Sequence, residues 1–393
     1  MNKSILQLDI QDFINKNLKT DLKKLAFEKN PFTEIAFSEI LNQIDNKAKA
    51  ETKLPSFFGC KNIIYPSKTS LEQTSSEVTA KYKAGLVAGK SLVDVTGGFG
   101  VDDFYFAKKI EKVVHCEMNT DLHEIVKNNF RQLAVTNIEC FCGDSHDFLE
   151  DSIAVFDWIY VDPSRRNNLK GKVFMLADCL PNVPYNLDFY FTKSQNIIIK
   201  TSPLLDISAG LQELKFVSEV HIIAVNNDVK ELLWILKKNY QDKIQIKTVN
   251  INSTKNQYFD FVFDDVTTNI LFDFPQKYLY EPNAAIMKSG AFNEVATQFK
   301  ISKLNQNSHL YTADTLINFS GRVFEILQNF DYNKANMTSF LANKKANITV
   351  RNFTETVESI RKKWKIKDGG DLYCFFTTDL KNKKIVLVCK KIL

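Results

Sequence analysis

Glycines and carboxylates recur at the ends of apolar runs in the middle of this chain, where they could grip a nucleoside-bearing ligand. The stretch Leu92-Val93-Asp94-Val95-Thr96-Gly97-Gly98-Phe99-Gly100-Val101-Asp102 passes from a strand pattern through a glycine turn into a helical pattern. Glycine lets a backbone approach a ligand because no Cβ intervenes, and open α/β sheets bind ligands at the carboxyl ends of their strands. Val113-Val114-His115-Cys116-Glu117 ends in an acid about 20 residues beyond the glycines, placed to accept from both hydroxyls of a ribose. Cys142-Gly143-Asp144-Ser145 follows the third apolar run. Asp144 there could accept from an adenine amino group or cap the next helix. Asp157-Trp158-Ile159-Tyr160-Val161 leads into Asp162-Pro163-Ser164-Arg165-Arg166. The proline stiffens that turn and presents Asp162 to the same crevice. Two guanidinium forks suit a phosphate or another anion, or they clamp local carboxylates.

A dinucleotide enzyme could use the same acids. The turn, however, reads Thr-Gly-Gly-Phe-Gly and lacks the Gly-x-Gly-x-x-Gly spacing that suits a pyrophosphate. Asp94 also precedes the turn, where it could hold a methionine amino group. On these four strand-end motifs, residues 88–265 resemble the class I S-adenosylmethionine methyltransferases. The resemblance implies S-adenosyl-L-methionine as cofactor. It implies that Asp94, Gly97 and Gly100 line the methionine end, with Thr96, Gly98 and Asp102 beside them. It places Glu117 and Met118 at the ribose, Asp144 and Ser145 at the adenine, and Asp162 with Pro163, Ser164, Arg165 and Arg166 in the catalytic loop.

That loop departs from the Asp-Pro-Pro-Tyr form of the amino-methylating enzymes, in which an aromatic residue stacks on a flipped base. Asp-Pro-x-Arg-Arg also resembles the loop of RNA uridine-C5 methyltransferases. Those need a cysteine nucleophile after the fifth strand, and here that segment is Ile199-Lys200-Thr201-Ser202-Pro203. Cys179 precedes the strand and reads as core. Direct transfer to a nitrogen or oxygen is therefore expected, with Asp162 orienting the nucleophile or accepting its proton.

The elements that would position these residues alternate. Strands are expected at Leu92–Val95, Lys112–Cys116, Ile138–Cys142, Phe156–Val161, Asn196–Lys200 and Val220–Val225. Helices are expected at Asp102–Lys109, Asp121–Leu133, Ile207–Leu214 and Val229–Asn239, with a closing hairpin from Lys243–Val249 and Tyr258–Phe263. Alternation of this kind predicts a doubly wound, mostly parallel α/β sheet, here of seven strands in a Rossmann-like fold. Residues 1–88 read as a helical region, with one helix over Ser70–Leu86, and 89–274 as the methyltransferase domain. Gln73–Glu77 reads as a helix cap or as a lid over the cofactor. Residues 275–320 read as a small ferredoxin-like unit and 321–393 as a basic unit with short strands, a helix near Thr354–Trp364, and strands at Leu372–Thr377 and Lys384–Cys389.

Composition excludes several classes. With 44% hydrophobic and 25% charged residues the chain is globular. It has no run long and apolar enough to span a membrane and no apolar signal core, which points to the cytoplasm. Seven cysteines contain no CxxC pair, and five histidines lack ligand spacing, so neither a disulfide framework nor a metal is expected. Residues 331–393 hold 14 Lys and Arg against 6 Asp and Glu, whereas the remainder holds 37 against 40. Such a basic end fits nucleic acid, or simply a lysine-rich solvated surface. Leu71–Glu77, the Asp162–Arg166 loop and Tyr280-Glu281-Pro282-Asn283-Ala284 resemble the narrower group of methyltransferases with a ferredoxin-like insert and a C-terminal THUMP-like domain. This resemblance implies RNA, tRNA or rRNA, as partner and substrate. Candidate contacts are Lys344, Lys345, Arg351, Arg361, Lys362, Lys363, Lys365 and Lys367. A methyltransferase for a small anionic metabolite and a non-catalytic RNA-binding module are the alternatives.

Overall fold

The computed structural model describes residues 3–165, 175–265 and 270–392. The chain forms two compact units, Met1–Glu219 with Leu232–Asp242, and Val220–Glu231 with Lys243–Leu393.

The first unit begins with helices α1 (Leu8–Lys16), α2 (Phe37–Lys53), α3 (Lys68–Gln73) and α4 (Glu77–Ala84). Isoleucines at helical spacing, Ile10, Ile14, Ile40 and Ile44, bury one face of α1 against one face of α2. The single helix expected over Ser70–Leu86 is two. Ser67 accepts from the Ser70 amide and Ser76 from the Thr79 amide, so each starts its own helix. A capping hydroxyl satisfies an amide that has no intrahelical partner, worth about 1 kcal/mol. The Gln73–Glu77 segment therefore contains a helix cap.

The sheet follows as β1 (Gly89–Asp94), α5 (Val101–Phe106), β2 (Ile110–Glu117), α6 (Thr120–Gln132), β3 (Ile138–Cys142), α7 (Ser145–Asp151), β4 (Phe156–Val161), α8 (Val183–Lys193), β5 (Ser194–Thr201), α9 (Ile207–Glu213), β6 (Val217–Val225) and β7 (Asp228–Lys237). Helix α8 was not foreseen, although Asn182 caps it and a proline occupies its first turn. The strand order is β3–β2–β1–β4–β5–β7–β6. Pairing is parallel from β3 to β5, and β7 runs antiparallel to β5. The central strands carry unbroken apolar runs, such as Ile197, Ile198 and Ile199, because helices cover both faces. The chain reverses direction of winding between β1 and β4, which opens a crevice beyond their carboxyl ends.

The helix expected over Val229–Asn239 is the strand β7. Asn226 and Asn227 both take positive φ, 50° and 64°, which makes a two-residue hairpin turn between β6 and β7. Leu232, Leu233, Trp234, Ile235 and Leu236 are buried on both faces of the sheet, and such a run reads equally as helix or as buried strand.

The boundary between the units falls within β6 and β7. In the second unit β8 (Gln245–Ile251) and β9 (Gln257–Val262) form the expected antiparallel hairpin. With the unforeseen β7, the sheet has nine strands where seven are expected. Then come β10 (Tyr278–Pro282), α10 (Ala284–Ser289), α11 (Phe292–Phe299), β11 (Ser302–Lys303), β12 (Tyr311–Ala313), β13 (Gly321–Asp331), α12 (Lys334–Phe340), β14 (Asn347–Val350), α13 (Val357–Trp364), β15 (Leu372–Thr378) and β16 (Lys384–Lys391). They build a seven-stranded sheet in the order β11–β12–β10–β13–β16–β15–β14. Strand alternation sends Tyr280 and Val323 into one core and Leu279, Phe324, Phe375 and Leu387 into another. Both faces are covered, and β13, the central strand, is one 11-residue strand rather than several short ones. The buried Glu281 carboxylate accepts from Arg322 and, at 2.9 Å, from Arg351.

All seven cysteines are free, and four of them, including Cys179, are buried. Among the described residues there is no helix long and apolar enough to cross a membrane and no cluster able to hold a metal.

Candidate active site

The glycine turn is shaped by what lies against it. Thr96 donates its amide (2.7 Å) and hydroxyl (3.0 Å) to Asp94 Oδ1, and its hydroxyl oxygen accepts from the Asp162 amide at 2.7 Å. One threonine thus ties the end of β1 to the end of β4. A Cβ on Gly97 would lie 2.2 Å from His115 Cε1, so only glycine passes over that ring. Gly100 begins α5 with φ 73°, and a side chain there would strike Phe130. Gly98 differs: the nearest atom to a Cβ there is 3.7 Å away, so its face is open.

Glu117 stands at this open face. Its Oε2 accepts from the Gly98 amide at 3.0 Å and its Oε1 from the Asn119 amide at 2.7 Å. Each oxygen keeps a further lone pair, and the two amides fix where those point. Met118 beside it is 69% exposed. Asp144 is exposed and caps α7, accepting from the His146 amide at 2.8 Å, with Ser145 as the first helical residue. The His146 ring lies 4.4 Å from that of Phe189 on α8.

Asp162 follows β4 and is half-buried, and its Oδ2 is ion-paired with Lys200 Nζ at the end of β5. Pro163 is buried and Ser164 exposed. The Ser164–Arg165 backbone pairs with Cys179–Leu180. Cys179 turns its thiol to the Met175 carbonyl and is fully buried, as its core reading requires. The Arg165 side chain and Arg166 lie outside the described residues.

A second layer of charge lies beneath the turn. Asp102, in the first turn of α5, accepts from the Ser75 hydroxyl (2.9 Å) and the Tyr160 hydroxyl (2.8 Å) and pairs with Lys83 Nζ at 3.1 Å. Burial opposes its charge, but Lys83 and then Lys200 hold it below the ordinary carboxylate value. Lys83 is fully buried and also donates to Ser75 at 2.8 Å. Asp103 meets His115 Nδ1 at 2.6 Å with both groups fully buried. Burial, and next the Asp102 charge, push Asp103 well above the usual range. Burial and Asp103 do the same to Asp94, while burial lowers His115.

The structure therefore divides the expected cofactor residues. Gly98, Glu117, Met118, Asp144 and Asp162 stand at the carboxyl ends of β1 to β4 and are exposed or half-buried. Asp94 and Asp102 are buried and engaged by protein groups, so they position the turn from below. Lys83, Ser75, Tyr160 and Lys200 were missed. One signal was available: Thr79, Ala80, Lys83 and Ala84 make a buried helical stripe with a lysine inside it.

The strand order with its antiparallel β7, the glycine turn after β1 and the acid closing β2 define the class I methyltransferase fold. To this fold the chain adds a ferredoxin-like domain, whose family model matches residues 278–319, and a THUMP-like domain, whose model matches 321–391. A crystal structure from Porphyromonas gingivalis W83, named as a proposed methyltransferase, is similar over 100% of both chains, with 28% identity and a TM-score of 0.88. The S-adenosylhomocysteine complex of M. capricolum TrmK aligns over 42% of this chain and 70% of its own, with 15% identity and a TM-score of 0.33. An rRNA methylase from Streptococcus thermophilus aligns over 42% and 95%, with 14% identity and a TM-score of 0.30. At those scores neither of the last two bears on the activity of this chain. No curated protein matches its sequence.

Proposed function

We propose that this protein is an S-adenosylmethionine-dependent methyltransferase that acts on structured RNA, tRNA or rRNA, at a nitrogen or oxygen nucleophile. The observation that carries the reading is Glu117: a carboxylate held by two amides at the open face of Gly98, at the switch point of the sheet. Two fixed acceptors suit the vicinal hydroxyls of a ribose. Asp144 and Ser145 stand for the adenine, Gly97, Gly98 and Gly100 for the methionine end, and Asp162 for the acceptor. The similar Porphyromonas gingivalis protein, itself named as a proposed methyltransferase, supports the same reading.

Methyl transfer is a displacement at a sulfonium carbon whose leaving group is already activated by charge. The protein needs mainly to align the two reactants and shape the field around them. RNA is favoured by the THUMP-like domain and by a basic surface on it. There the backbone at Lys345 pairs in parallel with that at Lys367, and the Lys367 amide donates to the Lys344 carbonyl, which gathers exposed lysines from two segments. Arg351, Arg361 and Lys363 are instead engaged by Glu281, Asp368 and Glu355. We assign 1–88, 89–274, 275–320 and 321–393 as helical region, methyltransferase domain, ferredoxin-like unit and THUMP-like unit, in a cytoplasmic protein.

Calorimetric titration with S-adenosylmethionine tests the cofactor, and transfer of labelled methyl to total RNA tests the substrate. Binding that is lost in Glu117→Ala supports the reading. No binding by the wild type would sink it. Binding with transfer only to small anions would move the substrate to a metabolite.

A further inference from the structure

The stretch from Lys16 to Lys29, which follows α1, carries five lysines against two acids, whereas residues 1–330 together hold 37 basic residues against 40 acidic. Its backbone is closed by local hydrogen bonds. Asn17 Nδ2 donates to the Phe13 carbonyl at 2.9 Å and the Thr20 amide to the Asn17 carbonyl at 3.0 Å. The Lys23 amide donates to Asp21 Oδ1 at 3.0 Å, which starts a short helix, Leu22–Leu25. Leucines set the orientation of the stretch: Leu25 is buried, and Leu18 and Leu22 pack against the same core as the isoleucines of α1 and α2. Lys16, Lys19, Lys23, Lys24 and Lys29 are thereby all turned outward and exposed. Among the described residues no acid pairs with any of the five. Other lysines of the helical region are engaged, Lys49 by Asp45, Lys53 by the Leu71 and Glu72 carbonyls, Lys81 by Glu77 and Lys83 by Asp102. Among the five stands Phe27, 93% exposed, with its amide fixed on the Lys24 carbonyl at 3.1 Å.

Resting on the RNA part of the proposed function, we infer that Lys16–Lys29 is a contact for unpaired nucleotides of RNA, with Phe27 stacked on one base and the lysines on the neighbouring phosphates. A flat apolar ring held in water on a fixed backbone suits the face of a base, and every base has such a face. Lysine ammoniums donate to phosphate oxygens without regard to sequence and release the counterions that cover them. A base already stacked inside a duplex has no face to offer, so the ring distinguishes unpaired from paired nucleotides. The same charge could meet an anionic membrane, but a helix that lies in a membrane presents a broad apolar stripe. Here the leucines of the stretch point into the core, and Phe27 is the large apolar side chain turned outward. The contact belongs to the unit that carries the glycine turn, whereas the lysines of the THUMP-like domain belong to the other.

The test measures binding of the full chain to single-stranded oligoadenylate, to duplex RNA, to total RNA and to phosphatidylserine vesicles. Phe27→Ala should weaken oligoadenylate binding by about 5- to 150-fold, the worth of stacking on one base. It should leave duplex binding and the melting temperature in place, and Phe27→Tyr should bind as the wild type does. Lys19→Ala with Lys23→Ala should reduce the slope of log affinity against log salt by about 1.4 units, roughly 0.7 for each phosphate contact on a single strand. Phe27→Trp gives a second readout that does not depend on a loss: oligoadenylate should quench the emission of the added indole. Wild-type affinity in Phe27→Ala, equal losses on single strand and duplex, or an unquenched indole would overturn the inference. So would binding to total RNA without binding to oligoadenylate, and in each of these cases the RNA reading stands. Binding to vesicles that needs Phe27, with none to oligoadenylate, would make the surface a membrane contact instead. Failure of the wild type to bind any RNA overturns the RNA reading and the inference together, while calorimetry with S-adenosylmethionine decides the methyltransferase reading separately.

Discussion

Two sets of carboxylates surround the same glycine turn and are put to opposite use. Asp94, Asp102 and Asp103 lie beneath it, at most 8% exposed, and are consumed by Thr96, Lys83, Ser75, Tyr160 and His115. Glu117 and Asp162 lie beside it, with oxygens still able to accept. A buried charge must be paired, because removing it from water costs several kcal/mol. A bordering carboxylate can leave part of its capacity for a ligand. Acids that look equivalent along the chain thus divide into a layer that fixes the turn and a layer whose oxygens are left able to accept from a ligand.

Removing one member of the lower layer should have the largest effect on stability. Lys83→Met leaves Asp102 buried without its cation, and we expect a loss of about 3–5 kcal/mol in chemical denaturation. A loss below about 1 kcal/mol would mean that Ser75 and Tyr160 suffice, and would blur the distinction between the layers. Glu117→Ala should do the reverse. Its stability should stay close to wild type while affinity for S-adenosylmethionine falls by about 1.5–3 kcal/mol, the worth of hydrogen bonds to a charged acceptor.

Acid sharpens the contrast next. Burial disfavours the charge of Glu77, but Lys81 and the Ser56 amide hold its pKa down to about 2. A depressed carboxylate contributes stability above its unfolded value of 4.5 and loses it as pH falls toward 2. Glu77→Gln should therefore flatten the wild-type decline across that window by about 2 kcal/mol. Burial raises Asp94 and Asp103, which have the opposite sign: their contribution is present below the unfolded value and lost as pH rises through the folded one. An unchanged decline in Glu77→Gln would move the acid sensitivity elsewhere.

The smallest effect on the fold should come from the exposed lysines of the THUMP-like domain. Lys344→Ala, Lys345→Ala, Lys365→Ala and Lys367→Ala together should leave the melting temperature in place. The slope of log affinity for RNA against log salt should shrink by up to about three units. An unchanged slope would make these lysines ordinary solvated surface.

Much of this was legible from local pattern. The Thr96–Gly100 turn, Glu117 at the end of its strand and Asp162 before a proline all announce themselves within a few residues, because backbone sterics act over that range. The β7 strand was misread because a doubly buried strand has no period of its own, and only the left-handed pair Asn226-Asn227 marked the turn into it.

The sequence by itself determined which strands end in glycine or acid, and so where the crevice lies and what class of ligand suits it. The tertiary structure decided which acids are consumed and which are offered. Lys83 reaches Asp102 across 19 residues of chain, and Lys200 reaches Asp162 across 38. Burial and pairing at such separations depend on how whole elements pack, and side chains that share no local pattern leave no mark of their meeting in the order of residues.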